Sequence, residues 1–106
     1  PYHIHNYPKI ISAATGMDIS EEELIKITKR DRQLIRANNV RRGWRQIDDM
    51  PPEDHWAKRL PEYEKQLLDG YCAYKGWDTE GIPTKESLES LDLGFVVEDF
   101  EKRGIF

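Results

Sequence analysis

The sequence predicts an all-α fold of about five helices arranged around one long central helix. Three observations carry this. Ser20 to Asn39 reads as a capped, uninterrupted helix. Alternating apolar and polar runs, which would mark strands, are nearly absent. Pro and Gly stand where shorter helices would begin and end.

The long helix is the clearest element. Ser20 suits the N-cap, and Glu23 follows at capping-box spacing. Glu21, Glu22 and Glu23 put negative charge on the first turn, while Arg36, Arg41 and Arg42 put positive charge at or just past the last, both favourable to the helix dipole. No Pro or Gly falls between Ser20 and Val40, and Gly43 is the first residue suited to a positive φ. Leu24, Ile27, Leu34, Ile35 and Asn38 share one face, interrupted by Thr28 and Asp31.

The remaining elements follow in order. Residues 1–7 read as extended, so His3 and His5 alternate onto one side; two imidazoles alone are a weak metal signal, since a closed zinc site wants four ligands. Pro8 opens a short helix through Ile10, Ile11, Ala13 and Ala14, and Gly16 stops it. Met17 and Ile19 are expected to pack back on that helix. Asp48, Asp49, Pro51 and Pro52 forbid a helix after Gly43, so residues 43–60 are predicted to form an ordered loop anchored by Trp44, Ile47, Trp56 and Leu60. Pro61 opens the next helix, with Tyr63, Leu67, Tyr71 (or Gly70) and Tyr74 on one side and Leu68 and Cys72 flanking it. Gly76 ends it, and Trp77 is predicted to fold back as a core residue. Cys72 reads as a small buried apolar side chain. Thr84 caps a short helix through Leu88 and Leu91, Gly94 breaks it, and Phe95, Val97 and Phe100 begin a last helix closing at Gly104.

At 106 residues the chain suits one helical domain, 1–106, or a piece of a larger protein. The absence of an initiator Met before Pro1 favours a fragment. One cysteine excludes an internal disulfide and fits a reducing cytoplasm. No run reaches membrane-spanning length, so no membrane partner is expected. The net charge of −4 is unevenly spread: −3 over residues 1–25, +7 over 26–45 and −8 over 46–106. The basic segment is expected to dock on the acidic C-terminal part or on another domain rather than on nucleic acid, for which there is no motif.

The chain holds no glycine-rich phosphate loop, no Cys-x-x-Cys, no His-Glu-x-x-His and no nucleophile elbow. No catalytic, cofactor-binding or metal-ligating residue is therefore assigned, and pattern alone describes a helical module without an active site.

Three stretches carry a resemblance: Ala14-Thr15-Gly16-Met17-Asp18-Ile19-Ser20-Glu21-Glu22-Glu23-Leu24, then Asn39-Val40-Arg41-Arg42-Gly43-Trp44, then Tyr74-Lys75-Gly76-Trp77-Asp78-Thr79-Glu80-Gly81-Ile82-Pro83-Thr84. In order and interval they resemble the C-terminal end of the tungsten-containing aldehyde ferredoxin oxidoreductase family, over roughly residues 10–93. The third stretch is the most specific. Met17 replaces the family's usual Trp, Cys72 stands where an aromatic is common, Thr28 and Asp31 replace small or apolar residues, and the loop from Trp44 to Pro61 is short. These departures suggest a divergent branch.

The resemblance implies a multihelical part of a cytoplasmic oxidoreductase. Its full-length parent would carry a tungsten (or molybdenum) bis-pterin centre and one [4Fe–4S] cluster, oxidise aldehydes to carboxylic acids and pass electrons to ferredoxin. A related branch is the tungsten subunit of class II benzoyl-CoA reductases. Four cysteines hold the cluster in the family, three far upstream and one in an Asp-x-x-Gly-x-Cys stretch that would precede Pro1, so Cys72 receives no ligand role. On this reading the fragment is an inactive structural wall, partnered by upstream domains of the same chain. Ile4, Tyr7, Ile10 and Ile11 at one end, and Phe95, Phe100, Ile105 and Phe106 at the other, would form apolar ends through which the isolated fragment self-associates. The competing readings are a free-standing helical interaction module and a nucleic-acid binder using residues 26–45.

Overall fold

Local capping decides where the helices lie. In this computed structural model, which describes residues 3–52, 54 and 60–106, five α-helices are present among the described residues: α1 (Tyr7–Thr15), α2 (Glu21–Arg41), α3 (Pro61–Lys75), α4 (Lys85–Glu89) and α5 (Gly94–Lys102). A single 3-10 turn, Gln46–Asp49, lies between α2 and α3. The fold is all-α, and the nearest approach to a strand among the described residues is an isolated bridge between Trp77 and Pro83.

Pro8 sits in the first turn of α1, and Gly16 closes that helix at φ +74°, its amide donating to the Ser12 carbonyl. At the start of α2 the Glu23 amide donates to Ser20 Oγ (3.1 Å) while the Ser20 amide donates to Glu23 Oε2 (2.8 Å), so the capping box is complete. Gly76 ends α3 at φ +71°, and the Thr84 hydroxyl accepts from the Ser87 amide to open α4.

The core lies between the C-terminal half of α2, the Ile82–Pro83 segment, α4 and α5. Ala37, Val40, Ile82, Leu88, Leu93, Val96, Val97 and Phe100 form it, with Leu34, Leu91 and Ile105 packed against it. Three expectations need correction here. The inward face of α2 is Gln33, Arg36, Ala37 and Val40, whereas Ile27 and Ile35 are exposed. Phe100 is buried, with Phe106 edge-on against it at 5.3 Å, so it leaves the expected apolar C-terminal end, where Phe95 and Phe106 remain exposed. The stripe Tyr63, Leu67, Tyr71 and Tyr74 on α3 faces outward.

Smaller corrections follow. Residues 3–6 form a turn rather than an extended strand, with the Asn6 and Tyr7 amides both donating to the His3 carbonyl. His5 turns to Glu21 (Nδ1 to Oε2, 2.6 Å). Met17 is exposed rather than packed back on α1, and Ile47 and Leu60 are exposed, so they do not anchor the loop; Trp56 lies outside the described residues. The basic segment does meet the acidic part of the chain: Lys26 pairs with Asp92 (2.7 Å), Arg36 with Asp49 (2.8 Å) and Arg41 with Asp99 (3.6 Å).

Candidate functional site

The second and third resembling stretches come together around Arg36. This residue lies on the inward face of α2 and is only 6% exposed. Burying a guanidinium is costly unless it is paired and hydrogen-bonded. Its Nη1 donates to Asp49 Oδ1 (3.0 Å) and lies 2.8 Å from Oδ2 as an ion pair. Its Nε donates to the Gly81 carbonyl at 2.7 Å. Its Cζ lies over the Trp77 ring, 4.3 Å from the centroid, where the ring quadrupole attracts a cation. Nη2 is buried without a hydrogen-bond partner and lies directly against Gly81.

Side-chain and backbone hydrogen bonds shape the turn from Gly76 to Thr84. Asp78 Oδ1 accepts from the Glu80 and Ile82 amides (2.8 and 2.9 Å), closing an Asx-type turn. Gly81 holds φ +77°, and a Cβ there would overlap the Arg36 guanidinium. Ile82 and Pro83 enter the core, and the Thr84 amide returns to the Gly76 carbonyl (2.9 Å). Gln33 secures the other flank. Its Nε2 donates to the Lys75 carbonyl (2.9 Å) and Ser87 Oγ (3.2 Å), and its Oε1 accepts from Trp77 Nε1.

The exit of α2 joins the same assembly. The Trp44 amide donates to the Asn39 carbonyl (3.0 Å), Trp44 Nε1 donates to Asp49 Oδ1 (2.8 Å), and Arg45 Nη1 reaches the Val40 carbonyl (3.0 Å). The Gln46 amide donates to the Glu80 carbonyl (2.7 Å), and its Nε2 donates to Asp69 Oδ1 (3.0 Å) and to Cys72 Sγ (3.5 Å). The Lys65 ammonium, then the Gln46 amide, hold the Asp69 carboxyl below the usual carboxylate range. The assembly is thus a polar clasp that fastens α2, the 3-10 turn, α3 and the Gly76–Thr84 turn together. Its groups are engaged with one another.

A profile of aldehyde ferredoxin oxidoreductase, domains 2 and 3, matches residues 1–93. The chain belongs to the aldehyde ferredoxin oxidoreductase family. The tungsten-containing aldehyde ferredoxin oxidoreductases of Pyrococcus furiosus and Pyrococcus abyssi are 29% and 28% identical to it over 97 residues, 83% of this chain in each case. Among solved structures, a chain of the active site complex BamBC of benzoyl coenzyme A reductase, in complex with 1,5-dienoyl-CoA, matches all of it at 56% identity and a TM-score of 0.93. The chain spans 16% of the length of each of these relatives.

Family membership raises the question of which cofactor groups these residues would suit. Among the described residues no three His, Cys, Asp or Glu side chains gather in a metal-binding arrangement. The one thiol, Cys72, is 2% exposed and lies beneath the Gln46 amide. A cluster needs several converging thiolates, so this donor set does not fit an iron–sulfur cluster, and the clasp presents no open ligand to a tungsten centre. The clasp residues Gln33, Arg36, Asp49 and Gln46 escaped the sequence reading. For Gln33 and Arg36 the only signal was a polar residue at helical spacing with the later core positions Ala37 and Val40; Gln46 and Asp49, on the 3-10 turn, gave none.

Proposed function

We propose that this chain is the C-terminal helical part of a tungsten-pterin oxidoreductase whose parent acts on an aromatic CoA thioester, in the manner of a benzoyl-CoA reductase. The observation that supports this is the 56% identity over the whole chain to the BamBC complex, against 29% over 83% of the chain for an aldehyde-oxidising relative. In the parent this part is structural. The upstream domains would hold the pterin, metal and cluster, which supply the redox chemistry, while the clasp keeps the helical wall rigid.

Aldehyde oxidation with ferredoxin as acceptor is the second reading, favoured by the family profile and the Pyrococcus relatives. The full-length parent separates the two. Incubated with 1,5-dienoyl-CoA and a viologen acceptor, it should return benzoyl-CoA, losing two electrons and two protons from the ring, and should leave benzaldehyde unchanged. Rapid aldehyde oxidation with no turnover of the thioester would establish the second reading instead.

A further inference from the structure

Helix α2 pairs some of its cations within the chain and leaves others open. Lys26, Arg36 and Arg41 each meet a carboxylate, on Asp92, Asp49 and Asp99. Lys29 and Arg32 have no such partner among the described residues. The Lys75 ammonium, at the end of α3, meets only the ring faces of Tyr71 and Tyr74 there (5.4 and 5.6 Å). These three cations line one recess of about 270 Å³ between α2, the end of α3 and α4. Among the described residues no Asp or Glu lines it. A lone surface cation needs no partner, but this gathering stands out in a chain of net charge −4. Lys29 and Arg32 are also three residues apart on one helix, where side chains are neighbours and like charges repel. Cations held together without a carboxylate suit an anion.

The inner side of the recess is fixed in place. Gln33 is 5% exposed and accepts from the indole N–H of the half-buried Trp77. Ser87 is held between the Gln33 side-chain amide and the Thr84 carbonyl. Tyr74, 79% exposed, lines the recess with Trp77. Pockets that enclose a whole small molecule run from about 300 to 1,000 Å³, so this one takes an end of a ligand. Arg and Lys together suit a phosphate, the first by paired N–H donors and the second as a point charge. Aromatic rings beside them suit a flat base, which stacks on Tyr or Trp.

We infer that the Lys29–Arg32–Lys75 recess binds the phosphate-and-base end of a nucleotide, the cations on the phosphate and Tyr74 and Trp77 against the base. Gln33 and Trp77 belong to the clasp as well, so a bound nucleotide would brace the junction of α2, α3 and α4. The inference does not rest on the parent's substrate. Only the source of the nucleotide does: the nucleotide end of a CoA thioester, or a free nucleotide.

The test titrates the full-length parent calorimetrically with adenosine diphosphate, and with adenosine and inorganic phosphate as controls. Adenosine diphosphate should bind more tightly than either control. Arg32→Glu should weaken its binding by about tenfold or more, and Lys29→Gln should weaken it less. Both positions are exposed, so folding should survive the changes. No binding, binding indifferent to both substitutions, or either control binding as tightly overturns the inference. Kinetics of Arg32→Glu then identify the source. A raised KM for the CoA thioester at unchanged kcat marks the nucleotide end of that substrate. An unchanged KM beside weakened adenosine diphosphate binding marks a free nucleotide. A parent that binds the nucleotide here yet oxidises only aldehydes refutes the functional reading alone.

Discussion

The guanidinium of Arg36 lies over the Trp77 ring, 4.3 Å from its centroid, while its N–H groups hold the Gly81 carbonyl and the Asp49 carboxylate. One side chain of α2 thereby holds both ends of the Trp77–Gly81 turn and the 3-10 turn before α3.

Arg36→Ala should therefore cost about 3–5 kcal/mol, because Asp49, with a side chain only 26% exposed, loses its charge partner. Arg36→Lys should not rescue it, since an ammonium cannot stack flat and donate in two directions at once. Urea unfolding of both variants measures this; a lysine variant as stable as the parent sequence would show that charge alone matters.

Gly81→Ala tests the closeness of that approach. Adopting φ +77° costs a non-glycine residue about 1–2 kcal/mol, and the overlap with Arg36 adds about 1–3 kcal/mol of overpacking. Gly104→Ala, also at positive φ but with open space around its Cβ, should lose only the first part. Comparing urea midpoints for the two at unchanged slope isolates the Arg36 contact.

Trp77 is half-buried, and its indole N–H donates to Gln33. Trp77→Phe should keep a ring beneath Arg36 and lose about 1 kcal/mol with the hydrogen bond. Trp77→Ala should fall towards the low end of the 3–5 kcal/mol typical of large aromatic truncations. Equal losses for the two variants would mean that the hydrogen bond, and not the ring, carries the contact.

The Glu23 carboxyl is held below the usual carboxylate range, chiefly by the Ser20 amide and then by the Ser20 hydroxyl. A depressed folded-state pKa means that the folded chain binds fewer protons than the unfolded one. Its stabilising effect is present above the ordinary value of about 4.3 and is lost as pH falls through the lower folded value. Glu23→Gln keeps the box geometry but cannot titrate, so its stability curve should be flatter below about pH 4.3. Chemical denaturation across pH 2–6, a range spanning about two units on either side of ordinary carboxylate values, checks it. Identical acid limbs would remove Glu23 from the account.

The helix boundaries were legible because they are local. Pro8, Gly16, Ser20 with Glu23, Gly76 and Thr84 each act within one turn of chain. The inward faces were not. The apolar stripes of Ile27 and Ile35 on α2 and of the tyrosines on α3 predict burial, yet all lie exposed, while Gln33 and Arg36 go inside. Periodicity reports what a helix must cover in its full setting, not which neighbour covers it. The clasp was illegible for a related reason: Arg36 meets Gly81 across 45 residues and Gln33 meets Trp77 across 44, and no local spacing encodes such pairings.

Cys72 gives this molecule a built-in clock. Its thiol is the chain's single cysteine, is 2% exposed, and sits where α3 closes on Gln46 of the 3-10 turn. A thiol reagent can reach it only after that junction has parted. The labelling rate therefore reads how often the clasp springs open, as a local event distinct from global unfolding.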